Sequence, residues 1–204
     1  MAVGKAIDGT LSQVGFQLHQ GRRPTQTATG ALARSLLEES LAEAAVAVPP
    51  EVLETTLQKI QDVVRAYRAS VIAGLARPRT RVFLIQGQVG VYAQPDYWDG
   101  RARFFEMKSY RAIPPPPEVA LQVRLFQLAF PRFEAVLVCL DRHTDPVETT
   151  TMVVPPPTTE EGAAALRTAY DLGREFGQEK VLEYVEGPFV HYALPTASEG
   201  TPGA

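Results

Sequence analysis

Asparagine is absent from the 204 residues, lysine occurs four times against sixteen arginines, and there is one cysteine. A lone cysteine cannot supply a four-cysteine iron–sulfur cluster within one chain. Cys139 sits inside an apolar run and reads as packing. No run of eighteen apolar residues exists, and the stretch Met1-Ala2-Val3-Gly4-Lys5 is not an apolar signal region. No contact with a membrane and a cytoplasmic location are therefore expected. An apolar content of 45% with mixed charge belongs to a globular chain, and 204 residues suffice for one domain with a full core.

The net charge of −3 does not advertise a nucleic-acid binder, but its distribution does. Residues 63–132 hold eleven Lys/Arg and four Asp/Glu, whereas residues 133–204 hold four and twelve. Such asymmetry fits a polyanion footprint on the middle of the chain, or else a set of solvated arginines.

Within that basic stretch, residues 102–109 alternate as a β-strand does. Phe104, Glu106 and Lys108 share one face, and Arg103, Phe105 and Met107 share the other. Asp99-Gly100 is a hairpin turn signal, which places Asp96 on the partner strand near Glu106. Two carboxylates and an ammonium then converge on one spot. Mg²⁺ takes oxygen ligands and keeps several waters, so two carboxylates plus a substrate phosphate suit it. A metal-bound water becomes nucleophilic near neutral pH, and a lysine beside it can orient that water or offset developing charge. The competing view is a solvated surface ion pair of little energy on an unrelated α/β scaffold.

Pro95-Asp96, nine intervening residues and then Glu106-x-Lys108 resemble the PD-(D/E)XK nuclease superfamily. Downstream, Gln122 and Phe126 resemble the Gln-x-x-x-Tyr motif of its RecB-type, exonuclease-like members, with Phe126 in the tyrosine's place. The resemblance implies a Mg²⁺- or Mn²⁺-dependent deoxyribonuclease, exonuclease-like rather than endonuclease-like, serving DNA repair, recombination or defence. It implies Asp96, Glu106 and the Met107 backbone carbonyl as metal ligands, Lys108 as the group that activates water, and Gln122 as a positioner of substrate. Upstream, Gly30 followed by Arg34 matches the family's first motif except that Arg34 replaces a metal-binding histidine. An arginine cannot ligate a cation; Glu38, one turn on, could take that place or be a solvated helix residue. Arg34, Arg101, Arg103, Arg111 and Arg124 are the candidate contacts to single- or double-stranded DNA. The alternative is a degenerate member that binds nucleic acid or a partner subunit without cutting. Proline-rich stretches leave room for a homo-oligomer or a partner protein.

The expected fold is mixed α/β, with the αβββαβ core of the restriction-endonuclease-like fold behind a helical extension. Residues 1–29 are expected as an arm, 30–194 as the nuclease-like domain and 195–204 as a disordered tail. Helices are expected at 31–48, capped by Thr29, and at 50–75, with Leu53, Leu57, Ile60, Val64, Tyr67 and Val71 as the core stripe. Strands 81–86, 89–94 and 102–109 are expected to form an antiparallel meander. Four prolines at 114–117 then space it from a helix at 118–130 with a Leu121, Leu125 and Leu128 stripe. Residues 133–140 read as a buried central strand and 147–154 as another. The loop between them, with Asp141, His143 and Asp145, reads as a turn rather than a metal site. Thr158 and Glu161 form a capping box ahead of a last helix with Ala165, Ala169, Leu172 and Phe176 inward. A short edge strand is expected within 180–192.

Overall fold

The computed structural model describes residues 2–78, 80–176 and 190–194, with only the backbone described at 176, 190 and 191. The fold is mixed α/β. Its elements run α1 (Ala2–His19), α2 (Gln26–Glu43), α3 (Pro50–Ala69), β1 (Arg81–Ile85), β2 (Val89–Ala93), β3 (Tyr97–Trp98), β4 (Arg103–Lys108), α4 (Pro117–Ala129), β5 (Glu134–Asp141), β6 (Glu148–Val154), α5 (Thr159–Phe176) and β7 (Val190–Tyr192). The tail expected as disordered and most of the segment before β7 lie outside the described residues.

One sheet has the order β3-β4-β5-β6 and the other β2-β1-β7. β4 and β5 run parallel, with Glu106 opposite Leu137 and Lys108 opposite Cys139, while β6 is antiparallel to β5. Parallel neighbours need a crossover, and α4 supplies it. β5 is buried along six consecutive residues, Ala135 to Leu140, because it has neighbours on both edges and helices on both faces.

Two apolar clusters flank this sheet. Helices α1, α2 and α3 pack on one face around Ile7, Leu11, Leu37, Ile60, Tyr67, Phe105, Met107 and Val138. Helices α4 and α5 cover the other around Phe104, Val123, Phe126, Leu137 and Leu166. β4 thus sends alternate side chains into two separate cores.

Several boundaries differ from expectation. Residues 2–19 are not an arm but a helix whose Ala6, Ile7, Thr10, Leu11, Val14 and Gly15 are buried. The stripe is there at spacings of three and four, diluted by Thr10 and Gly15, which conceal it in an apolarity count. α2 starts earlier because Thr25 is its cap, accepting from the N–H of Ala28; Thr29 lies inside, buried, donating to the Thr25 carbonyl. α3 ends at Ala69, and Val71 is exposed rather than part of its stripe. Pro117 opens α4 instead of belonging to the spacer, since a first helical turn has no use for its missing N–H. The α4 stripe is Val119, Val123, Phe126 and Ala129, with Leu125 and Leu128 only half-buried. The meander is corrected too. β1 and β2 pair with each other in the smaller sheet, and the partner of β4 is the two-residue β3. In α5 the capping box forms as expected, with Thr158 N–H donating to Glu161 and Glu161 N–H to Thr158. Leu172, however, is 42% exposed, and Ala165 and Leu166 are the buried pair. The Phe176 side chain lies outside the described residues.

Candidate metal centre

The turn that builds the site is held by Asp99. Its Oδ1 accepts from the N–H groups of Arg101, Ala102 and Arg103 at 2.9, 3.0 and 3.1 Å, and Gly100 takes φ +74. Only a residue without a Cβ adopts that conformation freely. The hairpin register sets Tyr97 opposite Phe105, so the preceding Asp96 arrives beside Glu106. Asp96 Oδ2 is anchored by the Met107 N–H at 2.9 Å.

Glu106 is 3% exposed. Its Oε1 accepts from Lys108 Nζ at 2.7 Å, while its Oε2 is buried without a hydrogen-bond partner. Lys108 Nζ donates also to Gln122 Oε1 of α4 at 2.9 Å. An ammonium held between a carboxylate and an amide oxygen cannot roam, and an orphaned carboxylate oxygen in a dry site is costly unless something positive meets it. The reading of a solvated surface pair does not survive this burial.

Electrostatics follow from geometry. Burial raises the Glu106 pKa to about 7, the Asp96 charge adds to the rise, and Lys108 opposes it. Asp96 is raised as well, by burial first, against the Met107 N–H bond and the Lys108 charge. Burial pulls Lys108 down, but the Glu106 and Asp96 charges outweigh it and leave its pKa raised. At neutral pH the two acids therefore hold back a proton that a divalent cation could displace.

Asp8, on α1, was not among the residues singled out by sequence. Although it is exposed, the protein packed about its carboxyl and the Asp96 charge raise its pKa, against Lys108, Arg142 and Arg77. It thus stands at the rim of the same cluster. Its only signal in the sequence was its place beside Ile7 and one turn before Leu11, which becomes legible once residues 2–19 are seen as a helix. No group of three His, Cys, Asp or Glu spaced to hold a metal ion occurs among the described residues.

Other candidates fall elsewhere. Arg34 donates to Glu54 of α3 at 2.6 Å and lies 3.7 Å from Glu38, so these two form an exposed cross-helix ion cluster. Arg124 is tied to Glu161 at 2.9 Å, to Gln127 and to the Pro155 carbonyl, bracing α4 against α5. Arg103 pairs with Asp99 within the turn; Arg101 and Arg111 are exposed. Phe126 is buried against Phe104 and supports the sheet instead of lining the site. Met107 turns its side chain into the α1–α3 core. Asp141 closes its turn by accepting from the His143 N–H, and Asp145 faces Lys59 at 3.9 Å.

These features define a mixed α/β protein with a carboxylate pair and a lysine on one strand-hairpin. No family model matches the chain, and no curated relative matches it. A solved protein, SSO0001, aligns over 83% of this chain and 86% of its own at 14% identity and a TM-score of 0.40, which is too low to argue from.

Proposed function

We propose that the protein is a divalent-metal-dependent nuclease that hydrolyses phosphodiester bonds in DNA, of the PD-(D/E)XK type. The observation that carries the reading is the buried, partnerless Oε2 of Glu106, set beside Asp96 and backed by a lysine fixed at two points. Asp96 and Glu106 would hold Mg²⁺ or Mn²⁺, hard cations whose preference for oxygen and water matches this donor set. When bound, the cation supplies an activated water and offsets charge on the phosphoryl oxygens. Lys108 would orient the attacking water or meet the transition-state charge, and Gln122 holds the ammonium there. Asp8, at the rim, would add a further negative charge beside the pair that would hold the cation.

The decisive experiment incubates the pure protein with linear, circular and single-stranded DNA in Mg²⁺, Mn²⁺ or EDTA. Metal-dependent cutting that vanishes in Asp96→Ala and Glu106→Ala is expected; unchanged cutting in either variant refutes the assignment. One observation favours a second reading, binding without cutting. Arg34, standing where a histidine ligand is expected, is spent on Glu54 and Glu38, so that histidine ligand has no counterpart at this position. Binding that is equal in EDTA and Mg²⁺, with no cleavage, is its signature.

A further inference from the structure

Residues 4, 8, 12 and 16 of α1 are spaced by four, so they lie along one ridge of the helix. Each marks a distinct chemical feature. A Cβ at Gly4 would lie 3.9 Å from Arg142 Nη1. Asp8 sits at the rim of the carboxylate cluster. Ser12 Oγ accepts a hydrogen bond from Arg77 Nη2. Phe16 is 58% exposed, an aromatic ring left in water. The ridge from Gly4 to Phe16 is about 18 Å long at 1.5 Å per residue.

The two arginines join no ion pair, as is also true of Arg68, Arg81, Arg101 and Arg111 among the described residues; what sets them apart is their place on either side of Asp8. Arg34, Arg65, Arg103 and Arg124 each have a carboxylate partner within 4 Å, whereas none of the ion pairs among the described residues engages Arg77 or Arg142. Their hydrogen bonds go to hydroxyls: Arg77 to Ser12, and Arg142 to Ser109 at 3.2 Å, next to Lys108. A serine positions a guanidinium without neutralising it; Asp8 feels both charges but joins neither arginine in an ion pair, so both can still draw an anion. One such cation lies on each side of Asp8 along the ridge.

We propose that this ridge is the track for a single strand of nucleic acid, with Arg77 and Arg142 taking phosphates on either side of the carboxylates and Phe16 stacking an unpaired base. Paired bases hide their faces, and an isolated exposed ring on a convex helix reaches only a strand whose bases are free; stacking tolerates any base because every base has a π-face. The arginines supply the sequence-independent attraction. The assignment rests on the nuclease reading for the position of the bond that is cut, but its own content is binding.

The test therefore measures binding in EDTA, where cleavage does not intervene, by fluorescence anisotropy of a labelled oligothymidine of about 12 nucleotides and of the corresponding duplex. Phe16→Ala is expected to weaken single-strand binding about five- to 150-fold, and Phe16→Trp to retain it. The new tryptophan should be quenched by the oligonucleotide beyond any change in Trp98, which a control titration of the unaltered protein records. Arg77→Ala and Arg142→Ala should each weaken binding and flatten the slope of log K against log salt by about 0.7. Arg65→Ala, a paired arginine on α3, should change little. Wild-type affinity in Phe16→Ala, equal losses in Arg65→Ala and Arg77→Ala, tighter binding of the duplex, or no binding to either would each overturn the proposal. Metal-dependent cutting with none of these losses would sink the track and leave the nuclease reading standing. The losses without any cutting would do the reverse.

Discussion

Replacing Glu106 by glutamine keeps the shape of the side chain and removes its ionisation. The unfolded chain releases the Glu106 proton near 4.5, while burial and the Asp96 charge hold it in the folded protein up to about 7. Between those values the folded state binds more protons than the unfolded one, so stability falls as pH rises. The contribution is fully present below 4.5 and lost as pH passes through about 7; its size is about 3 kcal/mol, from 1.36 kcal/mol for each tenfold change in proton affinity. Asp96, also raised, acts in the same sense. Urea unfolding followed by circular dichroism in EDTA, from about pH 4.5 to about pH 8, should show the wild type losing about 3 kcal/mol relative to Glu106→Gln. Mg²⁺ added at the upper pH should restore stability to the wild type alone, since it binds only the folded, deprotonated pair. Parallel pH profiles for the two proteins would refute the burial argument. Divergent profiles without a Mg²⁺ effect would refute the metal assignment and leave burial intact.

Three further outcomes are expected. Gln122→Leu takes one of two acceptors from Lys108; loss of a charge-assisted bond of about 1.5–3 kcal/mol should lower kcat/KM on linear DNA about ten- to 150-fold, and an unchanged rate would separate Gln122 from Lys108. Asp99→Ala frees three N–H groups in the turn and should cost about 1–2 kcal/mol in urea unfolding. Desolvation pushes Asp99 up, but those bonds outweigh it and hold its pKa at about 2, so that stabilising effect should vanish only as pH falls through about 2. Gly173→Ala in α5 improves helix propensity, yet its new methyl would collide with Val89 Cγ1 of β2; a net loss of about 1–3 kcal/mol is expected, relieved in the double variant with Val89→Ala.

The site was legible where it depends on local rules. Period-two alternation and an Asp-Gly turn suffice to bring Asp96 to Glu106 and to line Lys108 up with it, because hairpin register is set within a dozen residues. Helix α4 following β4 directly likewise brought Gln122 within reach of Lys108. What escaped depends on contacts distant in sequence. The burial of α1 comes from α2 and α3 packing on it, with Tyr67 and Tyr97 closing on Gly15, and the position of Asp8 follows from it. Arg34 and Arg124 read as phosphate contacts in the sequence, but their partners Glu54 and Glu161 come from other helices. A count of charges shows how many arginines there are, not which have been claimed. The split of the expected meander has the same origin: the two-residue β3 is a hydrogen-bonding outcome with no pattern of its own.

β4 explains why the ionisable groups sit where they do. Phe104 is locked into the α4–α5 core and Phe105 and Met107 into the α1–α3 core. A slip by one residue would force all three large apolar side chains into the opposite core, where they do not fit the packing. Glu106 shares the Phe104 face and is carried into the protein by its neighbours' burial, not by any preference of its own. Stability alone would favour an apolar residue at that position, since a buried carboxylate with one oxygen unpaired is a net cost in the folded state. The same burial strengthens every interaction the carboxylate makes, because less water screens it. A lysine pinned at two points and an aspartate anchored by a backbone N–H add rigidity that a surface ion pair lacks. The arrangement gives up folding free energy to hold a carboxylate oxygen at a fixed place, a sacrifice expected where a site does chemistry, which is why the metal reading is proposed for it.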